Sequence, residues 1–267
     1  MSPARDSDMG FWDHLEVLRR CIFRILAVTL VAGVVAFCFK DLLFRVVLAP
    51  KSSGFITYRL VERLVGPLKP FDVALINVNL AQQFIIHLKM ALWVGLLVVS
   101  PYVVYVLFGF VAPALYASER KPVVKAVVGG YVMFMLGVLF NYFLIFPLTF
   151  RFLGTYQVDP SVGNLISLES YTSTLLMLCL TLGVVFELPV LCWLLAKMGL
   201  MQASFMRKYR RHAIVAILIV AAVITPTADA FTLSLVALPI YLLFELSVLI
   251  VKRVETKKNN VHLANQV

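Results

Sequence analysis

Five acidic side chains stand beside or inside strongly apolar stretches of this chain: Glu16 in FWDHLEVLRR, Glu119 in FVAPALYASERKP, and Glu187, Asp229 and Glu245 further on. An ionised carboxylate in hydrocarbon is costly unless something pairs with it or water reaches it, so each position asks for a partner or a use. Two uses fit the residue type. Glu187 and Glu245, inside apolar runs, suit the proton relay of a coupled transporter. Glu16 and Glu119, outside the runs, fit either an ordinary solvated charge cluster with their basic neighbours or the capture of a cation. Arginine in particular is a planar fork that a fixed carboxylate grips bidentately, a geometry that lysine cannot reproduce.

Covalent catalysis finds no comparable footing. None of His14, His87, His212 or His262 belongs to an HExxH pair, no G-x-S-x-G elbow occurs, and no two aspartates share the apolar runs to form an aspartyl pair. Cys21, Cys38, Cys179 and Cys192 lie in or beside apolar runs without a CxxC pair, which indicates neither a metal site nor a disulfide framework. The sequence therefore points away from an enzyme and implies no cofactor or metal.

The elements that must position these carboxylates are membrane helices. With 61% hydrophobic residues, 14% charged and a mean hydropathy of +0.93, the composition is that of an integral membrane protein. Apolar runs predict spans at 21–39, 90–110, 123–146 and 171–195, then two shorter or interrupted ones at 213–224 and 231–251. The expected fold is all-α, a single six-span domain over residues 1–252 whose last two helices are short, followed by a disordered tail at 253–267. Kinks are expected at Pro101 and Pro239. The loop 40–82 shows no clear period beyond room for a short helix.

Orientation follows from the 24 Lys+Arg set against 14 Asp+Glu. Arg5, Arg19, Arg20 and Arg24, then Arg120, Lys121 and Lys125, then Lys197 to Arg211, then Lys252 to Lys258, fall on one side of the spans and put both termini in the cytoplasm. Loop 40–82 is the exception, basic although it falls outside. Placement beside spans accounts for the basic excess without nucleic acid. Asp6, Asp8, Asp13 and Glu16 before the first run, with no A-x-A site after it, imply that this run stays as a span.

Phe11, Leu15, Leu18 and Ile22 recur at helical spacing with Asp13, Glu16 and Arg20 on another face, which predicts an amphipathic helix lying in the interface before the chain turns into the bilayer. By itself this is a surface anchor with an i, i+4 ion pair. In the second inner loop, Pro113 can begin a short helix with Glu119 at its far end and Pro122 closing it.

His14-Leu15 with Leu18-Arg19, Ala112-Pro113-Ala114-Leu115-Tyr116 with Glu119-Arg120, Phe146-Pro147, Phe186-Glu187 with Pro189, Arg207-Lys208 with Arg210-Arg211, Thr225-Pro226 with Asp229, and Pro239 with Phe244-Glu245 form an ordered series. Along nearly its whole length the chain resembles TatC, the multispanning receptor of the twin-arginine translocase. The resemblance implies a protein of the bacterial inner membrane that binds twin-arginine signal peptides of folded precursors through Glu119, Glu16 and Arg19. It also implies an oligomeric complex with single-span TatA/TatB-type partners docking near Thr225 and Leu233, export drawing on the proton-motive force, and Glu187 as a polar position that thins the bilayer. Glu187 read by its residue type alone is a protonated or hydrogen-bonded carboxyl at a helix contact. The sequence departs from the family at Val17, where a glutamate is usual and Glu16 precedes it, about 100° round a helix. It departs again at Leu233, where glutamine is common.

Overall fold

The computed structural model describes residues 11–66, 71, 73–115, 120–159, 161, 163–225 and 229–264, most of them helical. In chain order, α1 (Phe11–Phe37) is followed by α2 (Lys40–Leu48), a 3-10 turn (Ala49–Lys51), α3 (Ile56–Val65), β1 (Leu75–Ile76) and α4 (Gln82–Leu115). Next come α5 (Arg120–Phe140), a π-helical turn (Asn141–Ile145), α6 (Phe146–Thr155), β2 (Ile166–Ser167), α7 (Leu168–Val185) and α8 (Leu188–Met198). The chain continues through α9 (Ala203–Lys208), α10 (Arg210–Ile224) and α11 (Ala230–Ala264). β1 and β2 pair in parallel, Leu75 opposite Ile166.

Five stretches are long and apolar enough to cross a membrane: Leu15–Phe37, Gln82–Phe110, Ala126–Thr155, Leu168–Met198 and Ala230–Thr256. The run at 213–224 lies within α10, whose 15 residues rise about 22 Å against a hydrocarbon core of about 30 Å. Three expectations need correction. α1 is one unbroken helix, because nothing between Leu15 and Cys21 breaks it, so there is no separate interface helix. α4 runs through Pro101 and Pro113 to Leu115, so Pro113 ends a long helix and does not begin a short one. α11 runs 35 residues, Ala230–Ala264, so the last helix is long where a short or interrupted one was expected, and only α10 is short.

Two of the helix prolines are accommodated by hydroxyls. Pro101 has no N–H for the Leu97 carbonyl, and Ser100 Oγ donates to that carbonyl at 2.6 Å. Pro147 likewise frees the Phe143 carbonyl, which accepts from Thr57 Oγ1, while the helix before Pro147 widens to the π turn closed by Phe146 N–H on Asn141 O. Pro189 has a further consequence: the Leu168–Met198 stretch breaks at Phe186-Glu187, both with ψ near −14°, before α8 begins.

Contacts group the chain into two compact units, Met1–Lys40 with His87–Tyr131, and Asp41–Ile86 with Val132–Val267. In the first, α1 and α4 meet backbone to backbone, since a Cβ on Gly95 would lie 2.5 Å from Gly33 N. In the second, a Cβ on Gly137 would lie 2.7 Å from Leu182 O, and α8 packs on α11 around Cys192, Ala196, Val248 and Val251.

The second unit also anchors the loop after α1. The last carbonyls of a helix lack partners within it, and here tyrosines supply them: Tyr142 OH donates to Val46 O at 2.6 Å and Tyr171 OH to Val47 O at 2.9 Å. Tyr58 OH on α3 reaches Pro50 O at 2.9 Å and Pro147 O at 3.0 Å. Residues 40–65 thus form a bracket of two short helices held by tyrosine hydroxyls, where the sequence predicted no clear period.

Candidate functional site

Glu16 and Arg20 stand one turn apart on α1, as their spacing requires, and pair at 2.5 Å with both side chains more than half exposed. Such an exposed pair is worth a few tenths of a kcal/mol, so an incoming guanidinium can displace Arg20 at small cost. Val17 is also exposed, which leaves the carboxylate of Glu16 open from its own side of the helix. Arg19 lies with its guanidinium 5.6 Å from the Phe23 ring centroid. Glu119 lies outside the described residues.

The carboxylates of the second unit have separate roles. Glu187 sits at the α7–α8 break with both oxygens buried and no hydrogen-bond partner among the described residues. Glu245 on α11 pairs with Arg210, the first residue of α10, at 2.7 Å. Glu255, ten residues further along α11, accepts from Ala203 N–H at 3.0 Å. Two carboxylates of α11 therefore hold the α9–α10 corner, a role for Glu245 that its position inside an apolar run did not suggest.

Asp229 caps α11: its Oδ1 accepts from Thr232 N–H at 2.7 Å. The sequence carried this signal, an aspartate just before a helical run. Thr225 is buried at the end of α10, and Leu233 is half-buried in the first turns of α11. Sequence reasoning missed Asn141, fully buried in the π turn, whose Nδ2 donates to Cys179 Sγ at 3.0 Å. No group of three or more His, Cys, Asp or Glu side chains able to hold a metal occurs among the described residues. Among the described residues the geometry offers an exposed, weakly paired carboxylate at Glu16 and a buried acid at Glu187.

The chain matches a family profile described as Sec-independent protein translocase protein (TatC) over residues 13–239. It is 33% identical over 249 residues to the Sec-independent protein translocase protein TatC of Deinococcus radiodurans, covering 93% of this chain and 88% of that one. To the protein of the same description from Aquifex aeolicus it is 30% identical over 258 residues, covering 96% and 100%. Among solved structures, the crystal structure of the twin-arginine translocase receptor TatC aligns with a TM-score of 0.73 at 28% identity, covering 91% of this chain and 99% of that chain.

Proposed function

Because the chain belongs to the TatC family of Sec-independent protein translocase proteins, a family of multi-pass membrane translocase components and not of enzymes, we propose that it is the receptor and core subunit of a twin-arginine translocase. The observation that carries this reading is the match along nearly the whole chain, including the loops that bear the carboxylates, to relatives of which one solved example is described as the receptor. In this role the arginine pair of a signal peptide is gripped by Glu119 and Glu16, with Arg19 beside them. α10 and the start of α11, around Thr225 and Leu233, receive single-span TatA/TatB-type partners in an oligomeric complex.

The protein lies in the bacterial inner membrane with six spans and both termini cytoplasmic. α10, at about 22 Å, forces the bilayer to thin where folded cargo passes. The buried carboxyl of Glu187 adds a polar group at membrane depth that favours such thinning. Export then draws on the proton-motive force. The proton-relay alternative, which needs Glu187 and Glu245 to act together, loses support from the engagement of Glu245 by Arg210.

Complementation tests the role. In cells lacking their own TatC-type subunit, this chain supplied with its cognate small partners is expected to restore export of a folded Arg-Arg precursor and not of its Lys-Lys form. Equal export of both, or of neither, contradicts the reading.

A further inference from the structure

The short helix α3 presents three chemically distinct faces. Ile56, Leu60 and Leu64 recur one turn apart and are 62%, 53% and 77% exposed, an apolar stripe about 12 Å long. Thr57, on one flank, and Tyr58, toward the back, are buried and bonded to the carbonyls of Phe143 and Pro147. Arg59 and Arg63 stand exposed on the other flank, about 60–100° round from the stripe, and Glu62 lies about 160° away. α2 repeats the pattern in small, with Leu42 and Val46 exposed beside Arg45.

We propose that this bracket is a lipid-binding surface: α3, with the adjoining face of α2, beds its apolar stripe in the outer-leaflet interface and sets its arginines on headgroup phosphates. Two spans fix its depth. The stretch Ala126–Thr155 has 30 residues and rises about 45 Å, so a core of about 30 Å counted outward from Lys125 is exhausted near Ile145. Phe143 and Pro147, which hold α3, straddle that level. The second span agrees. Counted outward from Lys197, whose ammonium lies 4.7 Å over the Trp193 ring, about 20 residues of core end near Met177, and Tyr171, which holds α2, stands six residues beyond.

A stripe held at that depth meets lipid tails below and phosphates beside it. Between residues 40 and 65 five cations, Lys40, Arg45, Lys51, Arg59 and Arg63, face only Asp41 and Glu62, a balance matched to an anionic surface. The basic outer loop, an exception to the inside bias of positive charge, then has a physical purpose. The proposal uses the membrane placement and proposed orientation of the spans and no part of signal-peptide recognition, so its failure leaves the receptor role untouched.

Depth-dependent quenching tests it. In the full chain with its four native cysteines changed to alanine, Leu60→Cys and Glu62→Cys are each labelled with an environment-sensitive fluorophore and reconstituted in phosphatidylcholine–phosphatidylglycerol vesicles. The Leu60 probe should be blue-shifted, and quenched severalfold more by lipids carrying a spin label near the headgroup than the Glu62 probe on the opposite face. Arg59→Gln with Arg63→Gln should reduce that quenching. A Leu60 probe as water-exposed as the Glu62 probe overturns the proposal. A blue shift without lipid quenching also overturns it, because protein and not lipid then covers the stripe. If the cysteine-free chain fails to insert, Leu60→Trp and Glu62→Trp read against brominated lipid, with the signal of the three native tryptophans subtracted, decide by the same criterion.

Discussion

Tyr58→Phe removes one oxygen from the bracket and nothing else. The ring keeps its edge contact with Phe71 at 5.0 Å between centroids and stays under the Arg151 guanidinium at 5.8 Å. The hydroxyl it loses is the donor shared by the Pro50 and Pro147 carbonyls, at a residue only 1% exposed. A buried acceptor left without its donor costs about 1–3 kcal/mol. At about 2–4 °C per kcal/mol for a chain of this size, the midpoint of thermal unfolding should fall by roughly 2–12 °C.

Cys179 and Cys192, both buried, supply the assay, since a thiol-reactive dye reports their exposure on heating. Tyr105→Phe, at an exposed tyrosine of the first unit, serves as the control. The pH dependence has a defined sign. Burial raises the Tyr58 hydroxyl above its ordinary value, with Arg151 pulling the other way more weakly. Its contribution is therefore complete below the ordinary tyrosine value of about 10 and declines as pH rises from there toward the folded value. Wild type should lose stability in that range faster than Tyr58→Phe. A midpoint for Tyr58→Phe equal to that of Tyr105→Phe, with no difference in alkaline sensitivity, refutes the clamp.

Cysteines introduced at Gly54 and Gly163 should react with an impermeant reagent added outside intact cells, whereas labelling of Ser204→Cys there would reverse the topology. Four leucines inserted after Ala221 lengthen α10 by about 6 Å to near the core thickness, and should impair export while signal-peptide binding persists; normal export would make the shortness of α10 incidental. Gly95→Val should disrupt the assembled protein, because any Cβ there falls 2.5 Å from the Gly33 backbone, and a folded variant with unchanged melting would refute that crossing.

The spans were legible because hydropathy is a property of each run by itself: five of the six expected runs coincide with helices long enough to cross, and the sixth is short for the reason its residue count gives. What escaped depends on distant parts of the chain. The π turn needs Pro147 with a donor from Thr57, 86 residues from the carbonyl it reaches. Tyr142 and Tyr171 bond carbonyls 96 and 124 residues distant, a pairing for which no periodicity exists. Glu16 and Arg20 were legible as an i, i+4 pair, whereas the partner of Glu245 was hidden because Arg210 lies 35 residues before it. The capping role of Asp229 is local and follows from residue preference at a helix start.

The central claim is that fixed carboxylates of this chain distinguish paired arginines from other basic pairs. Site-specific crosslinking of a precursor's Arg-Arg and Lys-Lys forms to wild type, Glu16→Ala and Glu119→Ala in inverted membranes measures it directly. Losing one charge-assisted hydrogen bond, at roughly 1.5–3 kcal/mol, should lower affinity for the Arg-Arg form about ten- to a hundredfold in Glu119→Ala, less in Glu16→Ala, with the protein still assembled. Wild type should crosslink the Arg-Arg form and not the Lys-Lys form. Undiminished crosslinking in Glu119→Ala, or equal crosslinking of the two precursors by wild type, contradicts the account.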